Sequence, residues 1–189
     1  MLIGEKVRLR GLEEKDIQLA YEYMNDPDVI LNLWTGIPYP VTLKQEKAWY
    51  ESQKDNKNTY NFAIETLADR LYIGGCGINE LDLKNGVAIV GIMIGHKDYR
   101  GKGYGTDAMR VLLDFIFNQI NVNKVQLHAF AFNERAIKSY KKCGFIEEGR
   151  IRQRIFRNGK YHDEIVMGIL REEYIDITNI KTFKYRKNK

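Results

Sequence analysis

Gly95-His96-Lys97-Asp98-Tyr99-Arg100-Gly101-Lys102-Gly103-Tyr104-Gly105-Thr106 joins an apolar run to an amphipathic one, and its glycines govern what the turn can do. Gly101, Gly103 and Gly105 stand at alternate positions, so the backbone there can approach a ligand with no Cβ in the way. The helix that follows opens with N–H groups that have no intrahelical partner, and its dipole places partial positive charge at the same end. A phosphate or diphosphate satisfies both. Arg100 and Lys102 add formal charge beside it. The run is not a Walker loop, because Gly101-Lys102 is followed by Gly103 instead of Ser or Thr. It is G-x-G-x-G, not the G-x-G-x-x-G of a dinucleotide fold, and it lies in mid-chain after a hairpin. A tight strand-to-helix turn that simply requires glycine is the structural alternative.

Working outward, Val87 to Gly95 reads as a strand, paired through Lys84-Asn85-Gly86 with Leu71 to Leu83. Tyr60 to Glu65 precedes them as another strand. Gly103 to Ile120 is helical, with Met109, Leu112, Leu113, Ile116, Phe117 and Ile120 on one face. Val122 to Ala131 is apolar enough for a central buried strand. Asn133 caps a short helix through Lys142, stopped by Gly144. Phe145–Phe156 and Tyr161–Leu170 flank Asn158-Gly159 as a second hairpin. Near the start, Lys6 to Arg10 alternates like a half-buried strand, and Ile17, Ala20, Tyr21 and Met24 mark a helix over Glu13–Asn25. Asp26-Pro27 ends that helix, and residues 27 to 41 read as irregular. Thr42 with Gln45 forms a capping box for a second helix. The order β-α-α-β-β-β-α-β-α-β-β predicts a mixed sheet with helices on its faces.

The 189 residues suit a single domain over 1–175, with a basic tail over 176–189. The net charge of +5 invites a nucleic-acid reading, but five basic residues fall within Lys181–Lys189, so nucleic acid is not the expected partner. Two cysteines, Cys76 and Cys143, far apart, support neither a disulfide framework nor a zinc site, and no metal is expected. No apolar run approaches the ~20 residues of a membrane span, and no signal-peptide core opens the chain. A soluble, cytoplasmic protein is the expectation.

Arg100-x-x-Gly103-x-Gly105 resembles the Q/R-x-x-G-x-G/A signature of the GNAT acetyltransferase superfamily. Asn133-Glu134-Arg135-Ala136-Ile137-Lys138-Ser139-Tyr140-Lys141-Lys142-Cys143-Gly144-Phe145 resembles the family's N-x-x-A-x-x-x-Y-x-x-x-G-F helix, at the matching separation. Val7-Arg8-Leu9-Arg10, Leu12-Glu13, Asn25-Asp26 and Asn158-Gly159-Lys160-Tyr161 are similar to the subgroup of ribosomal-protein N-terminal and spermidine acetyltransferases. The resemblance spans nearly residues 1 to 175. It implies an α+β (mixed α/β) fold, the GNAT fold: a mostly antiparallel, seven-stranded mixed sheet with splayed central strands and helices on both faces. It also implies acetyl-CoA as co-substrate, an amine acceptor and a homodimer.

On that resemblance, the backbone of Ile92, Met93 and Ile94 pairs with the pantetheine arm, and an N–H there donates to the thioester carbonyl as it gains charge. Arg100, Gly101, Lys102, Gly103, Tyr104, Gly105 and Thr106 hold the diphosphate, with Asn133 and Ala136 at the arm. Tyr140 is the candidate general acid: a phenol with pKa near 10 is protonated at neutral pH and can deliver its proton to a departing thiolate. The alternative for Tyr140 is a packed aromatic with its hydroxyl in solvent. Many members carry a base before the glycine turn, but Ala88 falls near that place. Glu80 is then the nearest acid to test, with a water relay competing. His96 reads as solvent-facing, His128 as a core histidine and His162 as surface. Trp34 and Tyr39 are the candidate acceptor-side residues and suggest a peptide N-terminus, an amino sugar or a small aryl or alkyl amine; the alternative is that both aromatics seal the loop onto the core. Gly36 and Ile37 stand where spermidine acetyltransferases carry acids, which lowers the polyamine option without removing it. Direct transfer is preferred to an acyl-enzyme because no cysteine is suitably placed. The competing function is a non-catalytic acyl-CoA sensor of the same fold.

Overall fold

Alternation of buried and half-buried side chains over Val7–Arg10 builds β1, the first strand of the computed structural model, which describes residues 2–53, 59–175 and 177. A 3-10 turn at Glu14–Asp16 leads into α1 (Ile17–Met24), which buries Ile17, Ala20 and Tyr23. Asn25 ends α1 as expected, but residues 27–41 are not irregular throughout. Asp26 accepts a hydrogen bond from Asp28 N, and Pro27 begins α2 (Pro27–Leu33). Proline at the first helical position loses no hydrogen bond and brings a helical φ, so the residue that stops α1 also starts α2. The Thr42–Gln45 capping box is present at the start of α3 (Leu43–Ser52).

β2 (Tyr60–Thr66), β3 (Tyr72–Asp82) and β4 (Val87–Ile94) follow as an antiparallel meander. Then come α4 (Tyr104–Gln119), β5 (Lys124–Phe130) and α5 (Glu134–Lys142). β6 (Ile146–Arg157) and β7 (Lys160–Leu170) close the order, joined by Asn158 and Gly159, both at positive φ (50° and 75°) as a two-residue hairpin turn demands. The sheet runs β1-β2-β3-β4-β5-β7-β6. Every neighbouring pair is antiparallel except β4 and β5.

Helices cover both faces. Adjacent residues of β2 point to opposite sides. Ala63 packs with Ala20 and Tyr23 of α1, while Ile64 joins Met109, Leu112, Leu113 and Ile116 of α4 in the larger core. The buried Asp107 carboxylate in the first turn of α4 accepts from the N–H groups of Glu5, Lys6 and Val7, fixing α4 to the strand edge. Arg10 bridges Asp16 and Glu65, tying α1 to the sheet. Among the described residues no helix is long and apolar enough to cross a membrane. The basic tail expected over 176–189 lies, apart from Ile177, outside the described residues.

One interruption matters for function. β4 and β5 pair only from Val87↔Lys124 to Ile89↔Gln126. β4 continues to Ile94 against β3, and β5 continues to Phe130 against β7, so the two halves of the sheet part between them.

Candidate functional site

Where the strands part, the edge of β4 beyond Ile89 has no strand partner among the described residues on its β5 side, and an extended edge of this kind invites an added strand. A cleft of about 720 Å³ opens along it. Ile92, Met93 and Ile94 form one wall, the glycine turn one end, and α5 the opposite wall.

At the turn, Arg100 N bonds Lys97 O, and the next such bond is Asp107 N to Gly103 O. The N–H groups of 101–106 between them have no hydrogen-bond partner among the described residues. Gly101 and Gly103 hold φ of 72° and 89°, and a Cβ at either would meet almost nothing. Their requirement for glycine is therefore conformational, and the space beside them is open. A concave donor surface with no Cβ over it, at the N-terminus of a sixteen-residue helix, is built to receive an anion.

Not every expected charge faces it. Arg100 does not offer its guanidinium to the turn. The side chain folds back, donating to Ile94 O (3.0 Å), Asp26 (2.5 Å) and Gly95 O, and lies 3.6 Å from Asp28. Burial pushes the Asp26 carboxyl up, but the Arg100 hydrogen bond and charge more than offset this and hold it below its ordinary value. Arg100 is thus a clasp between the glycine turn and the start of α2. Lys102 is exposed, and Tyr104 turns away to stack edge-on against Tyr99 under Lys6, so neither side chain lines the cleft.

On the facing wall, Asn133 caps α5 by accepting from Ala136 N, and Ala136 leaves the space beside Tyr140 open. Tyr140 is buried, with its ring edge-on to Phe145. It lines the cleft, and its hydroxyl hydrogen-bonds to none of the described residues. Burial, with a smaller contribution from Cys143, pushes its pKa up to about 12, so the phenol stays protonated at every physiological pH. Thr106 and Ser139 share a 2.7 Å hydrogen bond across the foot of α4 and α5, which holds the donor turn and the tyrosine helix together.

Three expectations change. Glu80 is exposed and lines neither cavity; a bulge between Ile78 and Glu80 presents Asn79 to the site instead. His128 is not a core residue: it lines the cleft beside the parted strands and sits 3.5 Å from buried Glu164. His96 is half-buried, capping the 3-10 turn Lys97–Tyr99 by accepting from Asp98 N and packing on Tyr99. His162 is partly exposed and packs edge-on against Phe132.

A second cavity, of about 480 Å³, meets the first across Leu33, Asn79, Gly91, Ile92 and Met93. Trp34 and Tyr39 line it, with Trp49, Phe62 and Tyr72. Arg157, unforeseen in the sequence, holds the segment that carries Trp34 in place: its buried guanidinium donates to Leu31 O, Trp34 O and Gly36 O. Cys76 also lines this cavity, but burial pushes its thiol pKa far up, so it is no thiolate nucleophile. Cys143 is buried at the end of α5. Among the described residues no three His, Cys, Asp or Glu side chains gather as a metal ion would need.

Residues 6–146 match the family described as Acetyltransferase (GNAT) domain. The chain is 29% identical over 171 residues to the SPbeta prophage-derived uncharacterized N-acetyltransferase YokL of Bacillus subtilis (strain 168), covering 90% of this chain and 93% of that one. It is 30% identical over 175 residues to the spermidine N(1)-acetyltransferase of Escherichia coli (strain K12), covering 91% and 90%. Among solved structures, spermidine N-acetyltransferase from Vibrio cholerae in complex with CoA and spermine superposes with a TM-score of 0.81 at 28% identity, covering 89% of this chain and 98% of that one.

Proposed function

Because the chain belongs to the GNAT acetyltransferase family, we propose that it moves the acetyl group of acetyl-CoA directly onto a primary amine held in the aromatic cavity, with Tyr140 as general acid. The observation that carries this is the convergence of three features on one cleft. They are the unpartnered amides of 101–106, the unpaired edge of β4, and the buried, neutral Tyr140 hydroxyl.

The amides of 101–106 take the diphosphate, where a helix N-terminus favours negative charge. The Arg100 guanidinium is engaged elsewhere and the Lys102 side chain does not line the cleft, so the amides and the helix dipole carry this binding. The pantetheine arm lies along Ile92–Ile94 as an added strand, and its thioester reaches the junction with the acceptor cavity. A neutral amine attacks the carbonyl carbon. As oxygen gains negative charge, a β4 N–H donates to it. The C–N bond forms, the C–S bond breaks, and Tyr140 passes its proton to sulfur. The amine's own proton leaves through water, since Glu80 lines neither cavity.

The second cavity favours an enzyme over a sensor, because a protein that only sensed acyl-CoA has no use for an acceptor chamber adjoining the thioester. A free-thiol assay with acetyl-CoA across peptides, amino sugars, aryl and alkyl amines and polyamines tests the proposal. Thiol release dependent on at least one amine is expected. Tight coenzyme binding with no turnover on any of them would overturn it in favour of the sensor.

A further inference from the structure

Glu46 stands apart in the acceptor cavity. It lies in the first turn of α3, is only 9% exposed, and is the one charged side chain among the described residues lining that cavity. No described residue forms an ion pair with it or donates a hydrogen bond to its carboxylate. The walls around it are apolar and aromatic: Trp34, Tyr39, Trp49, Phe62 and Tyr72. A carboxylate left unpaired in such surroundings is costly, and proteins retain one where something binds it. Burial alone pushes its pKa up, which is the signature of a missing partner.

Resting on the acetyl-transfer reading above, we propose that Glu46 is the specificity-determining anchor for a second, cationic nitrogen of the acceptor, and that the preferred acceptors are compact amines carrying one further positive charge on an apolar body. Glu46 lines the acceptor cavity but not the cofactor cleft that holds Tyr140, so it recognises the acceptor and does not touch the reacting atoms. One carboxylate matches one additional charge. The aromatic walls suit the apolar chain between the nitrogens and add cation–π attraction. A tetra-amine brings more charges than the described lining can pair, so it is disfavoured relative to a diamine. Gly36 and Ile37, on the α2–α3 segment, bring no further acid.

The test is calorimetry on the CoA-loaded protein with three probes: 1,5-diaminopentane, pentylamine and spermine. The diamine should bind at least tenfold tighter than pentylamine, about 1.4 kcal/mol, and tighter than spermine. Glu46→Gln should weaken the diamine at least about tenfold and leave pentylamine within about threefold, because a hydrogen-bonded charge is lost from one and not the other. Glu46→Ala provides the same comparison should the glutamine variant fold poorly, and the wild-type contrast needs no variant. Equal affinity for diamine and pentylamine, tightest binding of spermine, or diamine affinity unaffected by loss of Glu46 would each overturn the proposal. The readout is binding, so Glu46-dependent diamine affinity without thiol release would refute the catalytic reading alone. Thiol release without that dependence would refute the Glu46 assignment alone.

Discussion

Replacing Tyr140 by Phe should separate catalysis from stability. The hydroxyl makes no hydrogen bond to a described residue, so its removal orphans no donor or acceptor, and the ring keeps its packing on Phe145. The stability change is therefore expected within about 0.5 kcal/mol, and the melting temperature should move by no more than about 2 °C. Coenzyme affinity should also hold, because the proposed diphosphate contacts are the amides of 101–106 and not the Tyr140 hydroxyl. The rate is different. A positioned general acid contributes about 10²- to 10⁴-fold, or roughly 3–5 kcal/mol of barrier. In a free-thiol assay at saturating acetyl-CoA, kcat should fall by that factor. Because burial pushes Tyr140 up to about 12, its acid form persists through the alkaline range. Wild-type kcat should thus show no loss attributable to this group until the pH approaches that value. A fall in kcat of less than about threefold, with folding and coenzyme binding intact, would refute the assignment.

Gly103→Ala places a Cβ on a residue at φ 89°, which costs about 1–2 kcal/mol with no steric clash to blame; acetyl-CoA affinity by calorimetry should drop roughly tenfold as the amides swing. Asp107→Ala strips the acceptor from three backbone N–H groups, at a cost of about 3 kcal/mol or more; thermal unfolding should shift down by roughly 10 °C. For Asp16 and Glu65, burial raises the carboxyls, but hydrogen bonds and charge from Arg10, joined by Arg8 at Glu65, lower both below their ordinary 3.8 and 4.5. Depressed carboxylates stabilise the fold above those values and lose that contribution as pH falls through the folded pKa values. Urea midpoints should decline below about pH 4.5 in the wild type and less steeply in Arg10→Met.

Much of this molecule was legible because its signals are local. Asn158-Gly159, Asn133 and the Thr42–Gln45 box each act within a few residues of themselves, and each does in the structure what its chemistry requires. The glycine turn was legible for the same reason. What escaped is long-range. Arg157 bonds carbonyls 121 to 126 residues away, and no local pattern announces that. Glu46 reads as an ordinary first-turn acid; only the packing of α3 against α1, with β2 and β3 lining the same cavity, encloses it. His128 sits in an apolar run that reads as buried on both faces, yet the parting of β4 and β5 uncovers it. Glu80 was misplaced by a single bulge, which exchanges its position with that of Asn79. Pro27 carries two meanings at once, stop and start.

The most direct measurement is a backbone-amide NMR titration with CoA. Gly101, Gly103 and Gly105 should show the largest shifts, and the same titration with pantetheine, which lacks the diphosphate, should move the Ile92–Ile94 amides while leaving those glycines in place. Coenzyme binding that leaves the three glycine amides unmoved would contradict the account at its root.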